Sequence, residues 1–435
     1  MTVLDRPAGA HPTLALDRPR ASRPTYTRLA YVIAALVIAT HVIDALVQHG
    51  PASPPPRAVW SALTLLLAAM GVLAFLRLTH IAAALLAIAL GTAPSVEAFG
   101  ISVAHTIKGA ASGPDGTGLA SAAAGVLLVV LAAIVILARL RAWWRLLAIP
   151  IGLGYLAYVV VPLAMAVNIT HSNPGALSGR TPADAGLLFY DVVVPTRDGV
   201  QLSGWYIPSR NGAAVMTITG GGGTRDGVLD HSIVLAQHGY GVLDLDPRGH
   251  GLSQGEPMDL GWYGEFDVDA GVSFLSRQTE VDPKRIAIFG TSMGGEEGLT
   301  AAARDPRIRA VVNEGGWCRV FDDLQPVFQQ DPLQAALIPY YWTFLTSARF
   351  MTAAEPPPPL AKLMPLISPR LVLMIAASEQ PEMLLMAHLQ QQTAGNSELW
   401  IAPNTSHTQA LYTHPEAWSS RVLSFLDNAL SDNPT

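Results

Sequence analysis

The segment "RIAIFGTSMGGEEGL", residues 285–299, sets a serine among glycines. Its first residues are apolar enough for a buried strand, and a helical pattern begins just past the serine. Gly290-Thr291-Ser292-Met293-Gly294 is therefore a G-x-S-x-G pattern with a strand before it and a helix after it. A turn this tight pushes the serine into an unfavourable backbone conformation. Glycine on either flank avoids a clash with the neighbouring strand and helix. The hydroxyl is left standing above the sheet, beside a helix N-terminus that favours developing negative charge. The spacing predicts Ser292 as a nucleophile. The bland counterpart is a capping serine in a strand–helix turn.

A serine hydroxyl attacks only when a base takes its proton. His407 lies in the loop "PNTSHTQAL", after the strand-like "SELWIA" and before the last helical pattern. That order puts it at a strand's carboxyl end, on the same rim as Ser292. His414 is the alternative base, although it stands at the start of the last helix. The imidazole needs a carboxylate to hold its tautomer. The run "LVLMIAA" ends in Ser378-Glu379, which makes Glu379 the expected acid. Glu382 and Glu314 are the alternatives. The chain order Ser, Glu, His suits a wound parallel sheet. An oxyanion needs amide donors, each contributing about 3 kcal/mol. Met293 is the expected first donor. The second is expected from Gly220–Gly223, with Gly221 preferred and Gly222 next. The same loop lacks both GK[ST] and G-x-G-x-x-G, so phosphate binding is a weak reading.

These residues need elements to hold them. Residues 188–194 and 200–207 flank "TRDG", a hairpin signal. Short apolar runs follow at 213–219, 241–245, 285–289, 310–312, 371–377 and 398–401, with helical patterns between them. Strands alternating with helices predict an α/β fold, a doubly wound and mostly parallel sheet with helices on both faces. Ligands bind at the carboxyl ends of such strands. The domain is expected over 187–431. A small lid is expected at about 317–368, where "LIPYYWTFLTSARF" is apolar enough to face an acyl chain.

Residues 188–431 resemble the α/β-hydrolase superfamily. The nearest likeness is to the serine aminopeptidase and dienelactone-hydrolase-like branch or the X-Pro dipeptidyl-peptidase-like branch. The matching pieces are "TRDGVQLSGWYIP", "TGGGGTRDG", "DPRGHGLSQG", "VDPKRIAIFGTSMGG" and "SHTQAL". The resemblance implies Ser292 as nucleophile, His407 as base, Glu379 as acid and Met293 with Gly221 as oxyanion hole. It departs at Thr219-Gly220, where that superfamily usually has His-Gly, and in having Glu rather than Asp as acid. Asp246, Arg248 and His250 are read as structural. Glu296 and Glu297 suit the helix dipole, or else grip a substrate amine.

The first 168 residues differ in kind. Charged residues make up only 14% of the chain, against about 25% in soluble domains, and the mean hydropathy is +0.33. Apolar runs at 31–47, 59–76, 119–137 and 146–167 suit bilayer crossing, and a shorter one at 81–90 crosses only if it continues to 101. The expected layout is a cytoplasmic tail over 1–28, an all-α transmembrane region of four or five helices over 29–168, and a linker over 169–186. His41 and Asp44 share one face of the first run. Lys and Arg alternate between heavy and light loops, with the tail on the heavy side. Five spans then place the second half outside the cytoplasm, and four place it inside. A net charge of −6 without a long basic run argues against nucleic acid. One cysteine, Cys318, excludes an internal disulfide and a Cys-based metal site.

The expected function is a membrane-anchored serine hydrolase acting on a small ester, lipid or peptide, without metal or organic cofactor. Esterase or lipase activity is preferred over peptidase activity. The competitor is an inactive hydrolase-like scaffold on a membrane bundle.

Overall fold

The structure is a computed structural model that describes residues 31–43, 65–66, 69, 84–92, 96, 113–172, 175–352 and 354–431. Eight strands form one sheet: β1 Tyr190–Pro195, β2 Gln201–Ile207, β3 Ala214–Ile218, β4 Gly241–Leu245, β5 Ile286–Thr291, β6 Ile308–Glu314, β7 Leu371–Ala377 and β8 Ser397–Ala402. Their order across the sheet is β1-β2-β4-β3-β5-β6-β7-β8. β2 runs antiparallel to β1 and β4, and the remaining pairs are parallel.

The central strands are continuously apolar because both faces are covered. Ile286 and Ile288 of β5 face one core, with Val268, Val272, Leu299 and Met364 from the helices on that side. Ala287 and Phe289 face the other, with Leu235, Trp418 and Val422. A period of two thus splits each strand between two cores. The helix Leu360–Ile367, inside the stretch expected as a lid, packs in the first core.

Among the described residues, two helices are long and apolar enough to cross a membrane, Gly118–Arg139 and Leu146–Thr170, and Tyr31–Ile43 is a shorter apolar helix. Most of the expected run at 59–76 lies outside the described residues. Of the run at 81–101, residues 84–92 are helical. The expected four or five spans are therefore two candidates among the described residues. Ala34, Ala35, Ala87, Leu90, Ala124 and Leu128 pack together, small residues letting the helices approach closely. In the segment after Tyr155, residues Leu156–Val160 form a π-turn ahead of Pro162. Proline has no N–H for the regular ladder, and a wider turn absorbs the loss.

The expected linker is tied down. Ser178 N–H donates to Asp226 at 2.5 Å, and Arg180 pairs with Asp230 at 2.6 Å. Upstream, the helix Val161–Thr170 packs against the helix Ile338–Met351 through Leu163, Ala166, Val167, Phe344, Leu345 and Ala348.

Candidate active site

β5 ends at Thr291 and a helix, Met293–Ala302, starts two residues later. Ser292 between them has φ 51° and ψ −121°, a conformation that L-residues avoid. Backbone strain of this kind costs on the order of 1–3 kcal/mol and is held only where packing over-determines it. Three glycines make it possible. A Cβ on Gly290 would lie 2.2 Å from Gly294 C, one on Gly294 2.3 Å from Ile218 O, and one on Gly295 2.0 Å from Asn313 Oδ1. Ser292 N–H donates to Glu314 O at 2.7 Å, which stitches the elbow to β6.

His407 stands in the loop after β8. The loop carries two left-handed residues, Asn404 (φ 51°) and Thr408 (φ 56°). For β-branched Thr408 this is a rare backbone state. Glu314 supports the loop from beneath, accepting from Ala410 N–H at 3.0 Å and Trp418 Nε1 at 2.8 Å. The His407 imidazole and the Ser292 backbone meet at one dipeptide. A Cβ on Gly315 would lie 2.9 Å from His407 Cε1, and one on Gly316 would lie 2.6 Å from Ser292 O. Among the described residues, no hydrogen bond reaches Ser292 Oγ.

The carboxylate that touches His407 is Glu382, with Oε2 2.5 Å from Nδ1. Its other oxygen accepts from Ala377 N–H at 2.6 Å, at the end of β7. This corrects the choice of Glu379, which is exposed and instead accepts from Ser406 Oγ at 3.2 Å. The turn through Gln380-Pro381 returns the chain, so the first residue of the helix Glu382–Gln391 comes back over the strand end. Glu314, the other alternative, has its oxygens on Ala410 and Trp418. His414 Nε2 lies 2.7 Å from Pro403 O, which leaves it a structural role. Its hydrogen bond to Glu382, opposed by burial and helped by the carboxylate charge, raises the His407 pKa above its ordinary value.

Gly220 packs directly on Ser292, a Cβ there lying 3.2 Å from Ser292 Cβ. Gly221 and Gly222 sit over Asp259. Among the described residues, the Met293 and Gly221 amides donate to no other group, so both remain available as donors.

Glu296 and Glu297 are buried. Glu296 Oε1 accepts from Trp317 N–H at 2.9 Å and Cys318 N–H at 2.7 Å, which pins the first residues of the segment expected as a lid. Burial pushes both carboxyls up to about 8. Arg248 pairs with Asp267 at 2.7 Å and Asp198 at 2.8 Å, the structural role expected of it. His250 Nε2 bridges Asp259 Oδ1 at 3.0 Å and Ser172 Oγ at 3.2 Å, a contact that sequence reasoning missed because its members lie far apart in the chain.

Comparison with known proteins adds to this geometry. Residues 210–386 match the family model described as serine aminopeptidase, S33. The eight-stranded, mostly parallel sheet with helices on both faces fits an α/β-hydrolase fold. An uncharacterized protein of Mycobacterium tuberculosis is 39% identical over 119 residues, 27% of this chain and 42% of its own. The polyketide transferase ATR5 of Stachybotrys chlorohalonatus is 40% identical over 127 residues, 28% of this chain and 42% of its own. The chain thus spans under half the length of these curated relatives. Among solved structures, the esterase Pf2001 of Pyrococcus furiosus is similar at 24% identity and a TM-score of 0.47, covering 60% of this chain and 100% of its own.

Proposed function

We propose that the protein is a membrane-anchored serine hydrolase that cleaves an ester or amide through an acyl-enzyme. The carrying observation is the strained Ser292 at the end of β5, on the rim that also holds the Glu382–His407 pair. His407 Nε2 takes the Ser292 proton as Oγ attacks the substrate carbonyl carbon. Glu382 holds Nδ1–H and stabilises the imidazolium. The Met293 and Gly221 amides receive the oxyanion. Collapse of the tetrahedral intermediate breaks the bond to the leaving group, which takes the proton from His407. Water, deprotonated by His407, then attacks the acyl-enzyme and releases the acid and free Ser292. The Oγ–imidazole hydrogen bond belongs to the substrate complex, where such bonds commonly tighten.

Esterase or lipase activity is favoured over peptidase activity. Glu296 and Glu297, the carboxylates nearest the elbow in sequence, are buried, and Glu296 is occupied by the lid. Neither is free to bind a peptide's amino terminus. The anchoring part of the proposal rests on the two long apolar helices.

The test is labelling of the full-length protein in membranes with a fluorophosphonate probe. Wild type is expected to label, and Ser292→Ala and His407→Ala to lose labelling. Persistent labelling of Ser292→Ala removes this serine as nucleophile. A folded wild type that never labels favours the scaffold reading.

A further inference from the structure

The helix Ile338–Met351 lies within the stretch expected as a lid. It packs along Leu156–Thr170, the final part of the candidate span Leu146–Thr170. The lengths constrain where this contact sits. The whole segment has 25 residues. At about 1.5 Å per residue it is roughly 37 Å long, enough for about 30 Å of hydrocarbon. The part before Leu156 supplies only about 15 Å, half of that thickness. For the segment to cross, the hydrocarbon must extend past Tyr155, alongside the lid helix.

The surfaces agree with that depth. Leu156, Val161 and Met165 stay exposed on the part paired with the lid. No charged residue occurs from Pro332 to Ala348. Leu333 is 83% exposed, Trp342 60% and Ile338 39%. Tyr340, Tyr341 and Trp342 are consecutive. Tyrosine and tryptophan collect where hydrocarbon meets water, because each ring has an apolar body and a polar edge. Beside the lid's first residues lies the reactive rim, since Trp317 follows the Gly315-Gly316 dipeptide that touches His407 and Ser292.

We propose that the lid helix is seated in one leaflet of the bilayer, and that the site takes its substrate laterally from that leaflet. The substrate class is a bilayer-resident ester with a long acyl chain. The proposal rests on the serine-hydrolase reading for its chemistry and on the spanning role of Leu146–Thr170 for its geometry.

Two measurements on the full-length protein in phosphatidylcholine vesicles test it. In a Cys318→Ala background, Trp342→Cys carries an environment-sensitive fluorophore. Doxyl-labelled lipids are expected to quench it, and aqueous iodide is not. Quenching by iodide alone overturns the leaflet placement. So does cross-linking between two copies at this position without lipid quenching, which would make the face a self-association surface. Separately, Leu333→Asp and Trp342→Asp are expected to slow hydrolysis of a long-chain ester dissolved in the vesicles at least tenfold, while a water-soluble short-chain ester is hydrolysed within twofold of wild type. Equal loss on both substrates overturns lateral access. Absence of any hydrolysis and of fluorophosphonate labelling in wild type defeats the hydrolase reading instead, and leaves the quenching result to decide where the lid lies.

Discussion

Glu379 and Glu382 are three residues apart, and the imidazole touches only Glu382. Glu382→Gln is expected to lower kcat/KM on the order of a thousandfold, as loss of a tautomer-holding carboxylate does. Glu379→Gln is expected to leave it nearly unchanged, and steady-state hydrolysis of a soluble ester compares the two. The pH profile carries a second signature. A general base works as neutral imidazole, and His407 has a raised pKa through its bond to Glu382. Activity is therefore expected to fall on acidification with a midpoint above the ordinary imidazole value of about 6.5. In Glu382→Gln that midpoint moves back down. Stability runs with the opposite sign. What the charged pair adds is fully present below about 6.5 and is lost as pH rises through the raised folded value.

At the scale of elements, the elbow is a packing problem solved by absent side chains. Gly294→Ala puts a methyl 2.3 Å from Ile218 O, so β3 and the elbow helix must separate. Overpacking of this kind is expected to cost about 1–3 kcal/mol or more, read as a lowered Tm of the detergent-solubilised protein. Gly152→Ala, helical and with nothing within 4 Å, is expected to hold Tm or raise it slightly. The helix also carries Glu297, held protonated up to about 8 by burial. A carboxyl whose folded pKa is raised loses stability as pH climbs from its ordinary value through the folded one. Glu297→Gln is thus expected to raise Tm at pH 8 and to change it little at pH 5.

At the scale of the molecule, the apolar N-terminal helices and the wound sheet meet through the lid. Ala166 and Ala348 are both fully buried where Val161–Thr170 crosses the lid helix. Ala348→Leu overpacks that junction, and limited proteolysis of the full chain is expected to cut between the candidate span and the sheet sooner than in wild type. The contact from Ser172 through His250 to Asp259 ties the same junction to the floor under Gly221 and Gly222. Sidedness belongs to this scale too. Were the sequence-expected count of five spans to hold, the sheet domain would lie outside the cytoplasm, and protease added to intact cells would digest it. Protection would point to an even number of spans.

Local backbone geometry was legible in the chain itself. Strand runs, the glycine elbow around Ser292 and the late loop around His407 depend on neighbours within a few residues, where spacing alone dictates backbone geometry. The wound sheet followed, because alternating strands and helices allow few arrangements. The partner of His407 was not legible. Glu379, Glu382 and Glu314 are equivalent by type and nearly so by position. Tertiary packing distinguishes them: a tight turn returns Glu382 over the end of β7, Trp418 and Ala410 occupy Glu314, and Glu379 is left in water. The lid's contact with the candidate span was likewise decided in three dimensions. Periodicity within one segment marks an apolar face and carries no information about which distant face will cover it.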